Sequence, residues 1–241
     1  MEKYIGCSGF HYKDWKGRFY PESIRPDGWL GYYSEIFNSV EINNTFYKIP
    51  EVKTLRSWID QTPPGFRFSV KASRYITHMK KLIDSKPHVA RFYKSIDPLK
   101  KKLGAVLWQL PASFHRNDIR IEAFCRNLDN SFTNILEFRH ISWFEKEVYT
   151  LLSAFDVSFC SISAPGGLPD VFEDSTSKIY LRFHGKEDWY RYNYSNEELD
   201  IWKNKIVKSS AKLCYIYFNN DYNAYAVENG IKMKGLLFSY P

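Results

Sequence analysis

Short apolar runs alternate along this chain with stretches whose apolar residues recur at helical spacing. The runs near Tyr4–Ser8, Ser39–Asn43, Arg67–Lys71, Gly104–Gln109, Asn134–Arg139, Ser158–Ser163, Lys178–His184 and Cys214–Asn219 read as strands, each ending in polar residues. Helical spacing covers Trp29–Phe37, Val52–Gln61, Val89–Lys101, Arg116–Asn127, Trp143–Ala154, Asn196–Lys208 and Tyr222–Met233. Pro50 opens the second helix, and Ser142 to Glu145 and Ser195 to Glu198 read as capping boxes. Between the sixth and seventh strands, Ala164-Pro165-Gly166-Gly167-Leu168-Pro169 reads as a loop and leaves room for a degenerate helix only. Strands alternating with helices build βαβ units around a parallel sheet. Eight such units in 241 residues predict an α/β fold, a single (β/α)8 TIM-like barrel slightly below the usual ~250 residues. An open doubly wound sheet is the alternative. It would carry a glycine-rich first turn, and Gly6-Cys7-Ser8-Gly9 is too short for one. With no repeat or linker, residues 1–241 read as one TIM-barrel domain.

Side chains two apart on a strand share a face, and the face toward the helices should be the more apolar. That rule sends Val40, Ile42, Phe68, Val70, Val106, Trp108, Leu136, Phe138, Leu181, Phe183, Ile216 and Phe218 outward. It leaves Glu41 and Asn43 on the second strand and Lys71 on the third pointing inward. Gln109, then Glu137 and Arg139, then Arg182 and His184, then Tyr217 and Asn219 follow on later strands, and Ser8 and Ser161 join them from the first and sixth. These residues gather toward the C-terminal strand ends, where barrel enzymes build their sites. The competing reading is a self-neutralising set of buried ion pairs filling the barrel, a costly way to stabilise a core.

Composition adds limits. The formal charge of +7 favours anionic partners without naming one. The run Lys100-Lys101-Lys102 reads as a solvated helix end. Cys7, Cys125, Cys160 and Cys214 match no metal spacing and read as buried thiols. The N-terminus enters a strand without a signal-peptide apolar region, and no apolar run approaches a membrane span, so a cytoplasmic location is expected. Aromatic side chains crowd two loops. Phe10, Tyr12, Trp15, Phe19 and Tyr20 follow the first strand, and Trp189, Tyr190, Tyr192 and Tyr194 follow the seventh. They either stack a sugar or base at the barrel rim or pack the loops onto the barrel.

Several long segments resemble the domain-of-unknown-function 72 (DUF72) family. They are Val40 to Tyr47, Phe66 to His78, Glu137 to Trp143, Arg182 to Gly185 and Tyr217 to Asn220, with Gly6 to Phe10 and Tyr12 to Trp15 fitting its start. The resemblance implies a TIM barrel in one domain and supplies no reaction, because the family has no assigned activity. It also implies an Asp near position 164, where this chain has Ser163-Ala164-Pro165. A member without that Asp either lacks a step or recruits Asp170.

The inward set points to an enzyme of the hydrolase or lyase type. Its substrate would be phosphorylated or otherwise anionic, a phosphodiester included, and bound at the C-terminal mouth. Glu41 and Glu137 are the candidate acid and base and His184 the candidate proton shuttle. Lys71, Arg139 and Arg182 suit the anion, and Asn43, Gln109, Tyr217, Asn219, Tyr12 and Trp15 complete the substrate-binding candidates. No cofactor is indicated. His78, His140, His184, Glu41 and Glu137 are ligand types for a divalent metal, but no HxH or HExxH spacing groups them and three nearby cations oppose a dication. The alternative is a non-catalytic protein that binds a nucleotide or single-stranded nucleic acid, or a barrel that has lost its ancestral site.

Overall fold

Each of the eight apolar runs forms a strand in the computed structural model, which describes residues 1–238. The strands are β1 (Glu2–Cys7), β2 (Ser39–Ile42), β3 (Arg67–Lys71), β4 (Leu103–Gln109), β5 (Asn134–Glu137), β6 (Ser158–Ser163), β7 (Lys178–Phe183) and β8 (Leu213–Phe218). All pair in parallel, in the spatial order β1-β8-β7-β6-β5-β4-β3-β2. An isolated parallel bridge between Ser8 and Glu41 brings β2 back to β1 and closes the ring. The helices are α1 (Trp29–Ile36), α2 (Val52–Asp60), α3 (Lys86–Ile96), α4 (Asp118–Cys125), α5 (Lys146–Ser153), α6 (Asn196–Lys208) and α7 (Tyr225–Phe238). No helix separates β6 from β7. The fold is therefore the TIM-like barrel expected from the alternation of strands and helices. No helix among the described residues is long and apolar enough to cross a membrane.

The outward phase is as predicted. Val40, Phe68, Val106, Trp108, Leu136, Phe183 and Ile216 all lie buried in the cluster between sheet and helices. Inside the barrel the lower part is filled by rings. Tyr4 stacks on Tyr215 at 5.2 Å, and Tyr217 stacks on Tyr215 at 6.4 Å. Gly104 makes room for this column, since a Cβ there would stand 2.9 Å from the Tyr215 ring. The sixth strand differs from expectation. Cys160 and Ile162 face the interior, while Ser161 turns out and accepts from the Glu173 amide at 2.9 Å. Both phases of this strand mix serine with bulkier residues, so alternation could not choose between them.

Three local expectations change. Pro98 ends α3 early, and Asp97–Lys102 continues as a 3-10 turn. In that turn Lys102 is buried rather than solvated. Its Nζ donates to the carbonyls of Ile59 at 2.7 Å and Thr62 at 2.6 Å, closing the C-terminal end of α2. Ser195 and Glu198 form the capping box of α6. Ser142 does not cap α5, which starts at Lys146; its hydroxyl instead accepts from the Arg116 amide at 2.9 Å.

The β1–β2 seam is held by side chains. Apart from the bridge at its top, donors and acceptors of β1 turn to residues of α1 and the loop after it. The Ile5 amide donates to Asn38 Oδ1 at 2.8 Å, and Asn38 Nδ2 donates to the Lys3 carbonyl at 2.8 Å. The Cys7 amide donates to the Tyr33 hydroxyl at 2.7 Å, and that hydroxyl donates to the Ser39 carbonyl at 3.0 Å. Gly6 permits the approach, because a Cβ would fall 1.9 Å from the Ser39 carbonyl oxygen. Replacing Tyr33 by Phe keeps the ring and strands the buried Cys7 amide. We expect a loss of about 1–3 kcal/mol, seen as a lower urea midpoint at an unchanged m-value. A midpoint equal to wild type would show that the seam does not depend on this hydroxyl.

Candidate functional site

The barrel interior above the tyrosine column holds a charge network that crosses from one side of the ring to the other. Arg182 on β7 donates through Nη2 to Glu41 Oε1 on β2 at 2.6 Å and through Nη1 to Glu137 Oε2 on β5 at 2.5 Å. Glu41 is completed by the Ser8 hydroxyl on Oε1 at 2.7 Å and the Tyr180 hydroxyl on Oε2 at 2.6 Å. Glu137 Oε1 accepts from Arg139 Nε. Glu41 and Glu137 are 0% exposed and Arg182 is 2% exposed. Charges taken this far from water persist only when paired and hydrogen-bonded. Burial alone would raise the Glu137 carboxyl. The charges of Arg139, Arg182 and Lys71 outweigh burial and hold it at about 2. Arg182 is pushed further above its ordinary value: burial opposes this, but the two carboxylates prevail.

A second layer sits on this network. His184 is fully buried, its Nε2 2.9 Å from Arg139 Nη2 and its Nδ1 3.0 Å from the Asn219 side-chain amide. Burial, then the charges of Arg139, Arg182 and Lys71, drive its pKa well below the ordinary value, so the ring is neutral. An imidazole that accepts from Arg139 at Nε2 carries its proton on Nδ1. That tautomer selects the Asn219 amide orientation that presents oxygen. Arg139 is also covered from above, its guanidinium carbon 4.7 Å from the Trp189 ring centroid.

Above these layers a cleft of about 580 Å³ opens at the C-terminal mouth, a size suited to a small molecule. Lys71, Asn43, Gln109, Arg139, Arg182 and Asn219 line it, with His78, Tyr47, Trp189, Tyr190 and Asp221. Lys71 ends β3, and its Nζ stands over the Phe46 ring at 4.2 Å. Among the described residues it makes no hydrogen bond or ion pair. Burial, then the charge of Arg182, lowers it from 10.5 to about 8 despite Glu137 and Glu41. Past β3, a π-helical turn over Tyr75–Met79 carries His78 to the same Phe46 ring, 4.9 Å away and edge-on. Burial and the charges of Lys71 and Arg74 lower His78 to about 4. The loop after β7 enters the cleft wall with strain. Tyr190 has φ +67°, held by its amide donating to the His184 carbonyl at 2.7 Å and its carbonyl accepting from the Tyr222 amide at 3.1 Å.

The sequence-derived candidates therefore divide. Lys71, Asn43, Gln109, Arg139, Arg182 and Asn219 come together at the cleft. Glu41, Glu137 and His184 belong to the same assembly but are sealed beneath its surface, with their polar atoms occupied. A carboxyl at about 2 remains ionised at neutral pH, so Glu137 has no proton to give as a general acid. Arg182 reaches the cleft floor, yet both its Nη atoms are spent on carboxylates. Tyr217 is not a substrate contact: it is fully buried, its hydroxyl 2.5 Å from Ser39 Oγ and 2.8 Å from Ser69 Oγ. Trp15 is corrected as well. It is 0% exposed and donates to the Asp221 carbonyl at 3.1 Å, packing the first loop onto the barrel. Tyr12 donates to the Ser8 carbonyl at 2.6 Å and lines a separate pocket of about 360 Å³ beside Trp58. Ala164 joins the interior apolar cluster with Leu168 and Trp189, and Asp170 stays on an exposed loop away from the cleft lining. Among the described residues, no three His, Cys, Asp or Glu side chains gather in a metal-like group. Phe46 is absent from the candidates, and His78 enters them only as a possible metal-ligand type, not as a cleft residue beside Lys71. A π-helical turn has no periodic signature that would place it there.

Comparison with known proteins places this architecture. The family model described as protein of unknown function DUF72 matches residues 4–239. The UPF0759 protein YunF of Bacillus subtilis is 29% identical over 268 residues, covering 97% of this chain and 94% of that protein. The UPF0759 protein YecE of Escherichia coli is 32% identical over 115 residues, covering 47% of this chain and 42% of its own length. The crystal structure of a DUF72 family protein from Thermotoga maritima superposes with a TM-score of 0.88 at 33% identity, covering 98% of this chain and 99% of that one. A DUF72 family protein from Enterococcus faecalis shares the fold at 20% identity, with a TM-score of 0.82 and coverage of 98% and 95%.

Glu137→Gln leaves Arg139 and Arg182 without their shared counter-charge and should cost about 3–5 kcal/mol. The wild-type carboxyl titrates at about 2 against an ordinary 4.5. Between those values the unfolded chain binds more protons, so stability from this group is full above about pH 5 and lost toward pH 2. Urea unfolding across that range should show a shallower acid decline in the variant. Parallel declines would place the acid-sensitive charge elsewhere.

Proposed function

We propose that this chain, which belongs to the DUF72 family, is an enzyme of the hydrolase or lyase type acting on a small phosphorylated or otherwise anionic substrate at the C-terminal mouth of its barrel. One observation carries the reading: the Lys71 ammonium stands in the cleft and makes no ion pair among the described residues. Arg182 and Arg139 are matched to Glu41 and Glu137, so within the inward set three cations face two acids, and Asp221, also in the lining, makes no ion pair with Lys71 among the described residues. An anionic substrate supplies that missing charge, held by Lys71 and by the Arg139 Nη1 that no hydrogen bond among the described residues uses. Asn43 Oδ1, buried without a hydrogen-bond partner among the described residues, offers an acceptor for a substrate hydroxyl or amine. Glu41, Glu137 and Arg182 then act as a rigid floor that fixes Arg139 and His184. The groups left to move protons at the surface are Lys71 and His78.

A second reading, a non-catalytic protein for a nucleotide or single-stranded nucleic acid, draws on rings at the same mouth. Tyr47 is 72% exposed and Tyr190 44% exposed, and both line the cleft. Such rings stack bases without sequence preference. Affinity for an oligonucleotide would then fall steeply with salt, whereas a small substrate held in the cleft would respond less.

The test is a thermal-shift panel of phosphorylated and carboxylated small molecules. Anions should raise the melting temperature below pH 8, where Lys71 is protonated, and lose this effect as pH rises past about 8. Lys71→Met should abolish the anion response while leaving the free protein as stable as wild type or more so, because an unpaired charge in a partly buried site is removed. Equal anion responses in wild type and variant would overturn the reading.

A further inference from the structure

The same ammonium that calls for an anion is poorly suited to holding one as a permanent point charge. A lysine kept for ion pairing alone gains from remaining charged. Here burial and the neighbouring guanidiniums of Arg182 and Arg139 oppose its charge, while the Phe46 face beneath Nζ favours it without supplying a full counter-charge. The acids Glu137 and Glu41 also face it, but each is already shared with a guanidinium. His78, packed on the same ring, is neutral and adds no negative charge to restore the ammonium. Desolvation beside other cations is how a lysine becomes an amine nucleophile near neutral pH. The backbone that carries it is fixed, since the Thr45 hydroxyl donates to the Lys71 carbonyl at 2.7 Å and the Ala72 amide donates to the Leu107 carbonyl at 2.8 Å.

We propose that Lys71 is a covalent nucleophile whose amine condenses with the carbonyl of a small aldehyde or ketone bearing a carboxylate or phosphate, with Arg139 holding the anionic group. This deepens the anion-site reading above and rests on it. In the first step the Nζ lone pair forms a C–N bond to the carbonyl carbon, and a proton passes from nitrogen to the former carbonyl oxygen, giving a carbinolamine. A second proton, from solvent in the open cleft, lets the hydroxyl leave as water while the nitrogen lone pair closes the C=N bond. The product is a protonated imine carrying one positive charge, an electron sink for breaking a bond to the neighbouring carbon. That chemistry is of the lyase type and narrows the enzyme reading accordingly.

The full chain is incubated with pyruvate, as a carboxylate probe, or glyceraldehyde 3-phosphate, as a phosphate probe, and sodium cyanoborohydride is added to reduce any imine to a stable secondary amine. Peptide mass spectrometry then locates the adduct. With Lys71 near 8 against an ordinary 10.5, its neutral fraction at pH 7 exceeds that of a surface lysine by roughly three-hundredfold. Lys71 should therefore dominate the labelled sites by about that order, and the preferred probe tells carboxylate from phosphate. Lys71→Arg keeps the charge, so it should retain the melting-temperature rise given by inorganic phosphate while losing the adduct. Circular dichroism checks that it folds. If phosphate stabilises the wild type but label spreads evenly over the lysines, the imine is refuted and the anion site stands. If phosphate stabilises neither protein and Lys71 is unlabelled, both fall.

Discussion

One guanidinium organises the interior of this barrel. Arg182 reaches from β7 to carboxylates on β2 and β5, joining three strands that are not neighbours in the sheet. Helix-to-sheet packing fixes the strands from outside, but nothing apolar would fix the positions of charged groups within. The ion pairs do so because each charge is buried and its lowest-energy arrangement is narrow. The hydroxyls of Ser8 and Tyr180 complete Glu41, and the Arg139 guanidinium completes Glu137. Arg139 in turn orients His184, and His184 orients Asn219. The order of the cleft is thus inherited from the buried carboxylates beneath it, which hold the guanidiniums that line it.

That arrangement also underlies the anion preference proposed for the cleft. The pairs of Arg182 and Arg139 with Glu41 and Glu137 balance, and Lys71, which makes no ion pair among the described residues, stands beside them over the Phe46 ring. Had the family-like Asp been present in place of Ala164, a carboxylate would stand at the end of β6. Here that end joins an apolar cluster with Leu168 and Trp189 instead. The wall is greasy on one side and the floor basic, a contrast suited to a ligand with an apolar body and an anionic end.

The fold was legible because period-two alternation is a local property: Val40 and Ile42, or Leu181 and Phe183, declare the helix-facing side without reference to the rest of the chain. The inward set was legible for the same reason, as a set. What alternation cannot supply is the partner. Glu41 meets a guanidinium 141 positions away, and that meeting turns a candidate acid or base into a fixed counter-ion. Tyr217 and Trp15 were misplaced because a ring with a polar tip suits a wet rim and a dry core alike; hydroxyls of Ser39 and Ser69, and a carbonyl of Asp221, settled the matter. Lys102 was misread because a basic run describes composition, while its capping of α2 depends on two carbonyls some forty residues earlier. His78 was reached only through a π-helical turn.

The seam between β1 and β2 has a consequence for how the molecule comes into being. The first strand finds its continuous ladder on β8, more than two hundred residues later. Toward β2 it has only the bridge at Glu41 and the bonds lent by Tyr33 and Asn38. Contacts of such sequence separation form late, because the loop they close is long. During synthesis the opening strand must therefore wait, one edge lightly stitched and the other bare, until the eighth strand emerges. The ring is completed by its longest-range ladder, and a nascent chain stalled before β8 would expose a template for pairing with its neighbours.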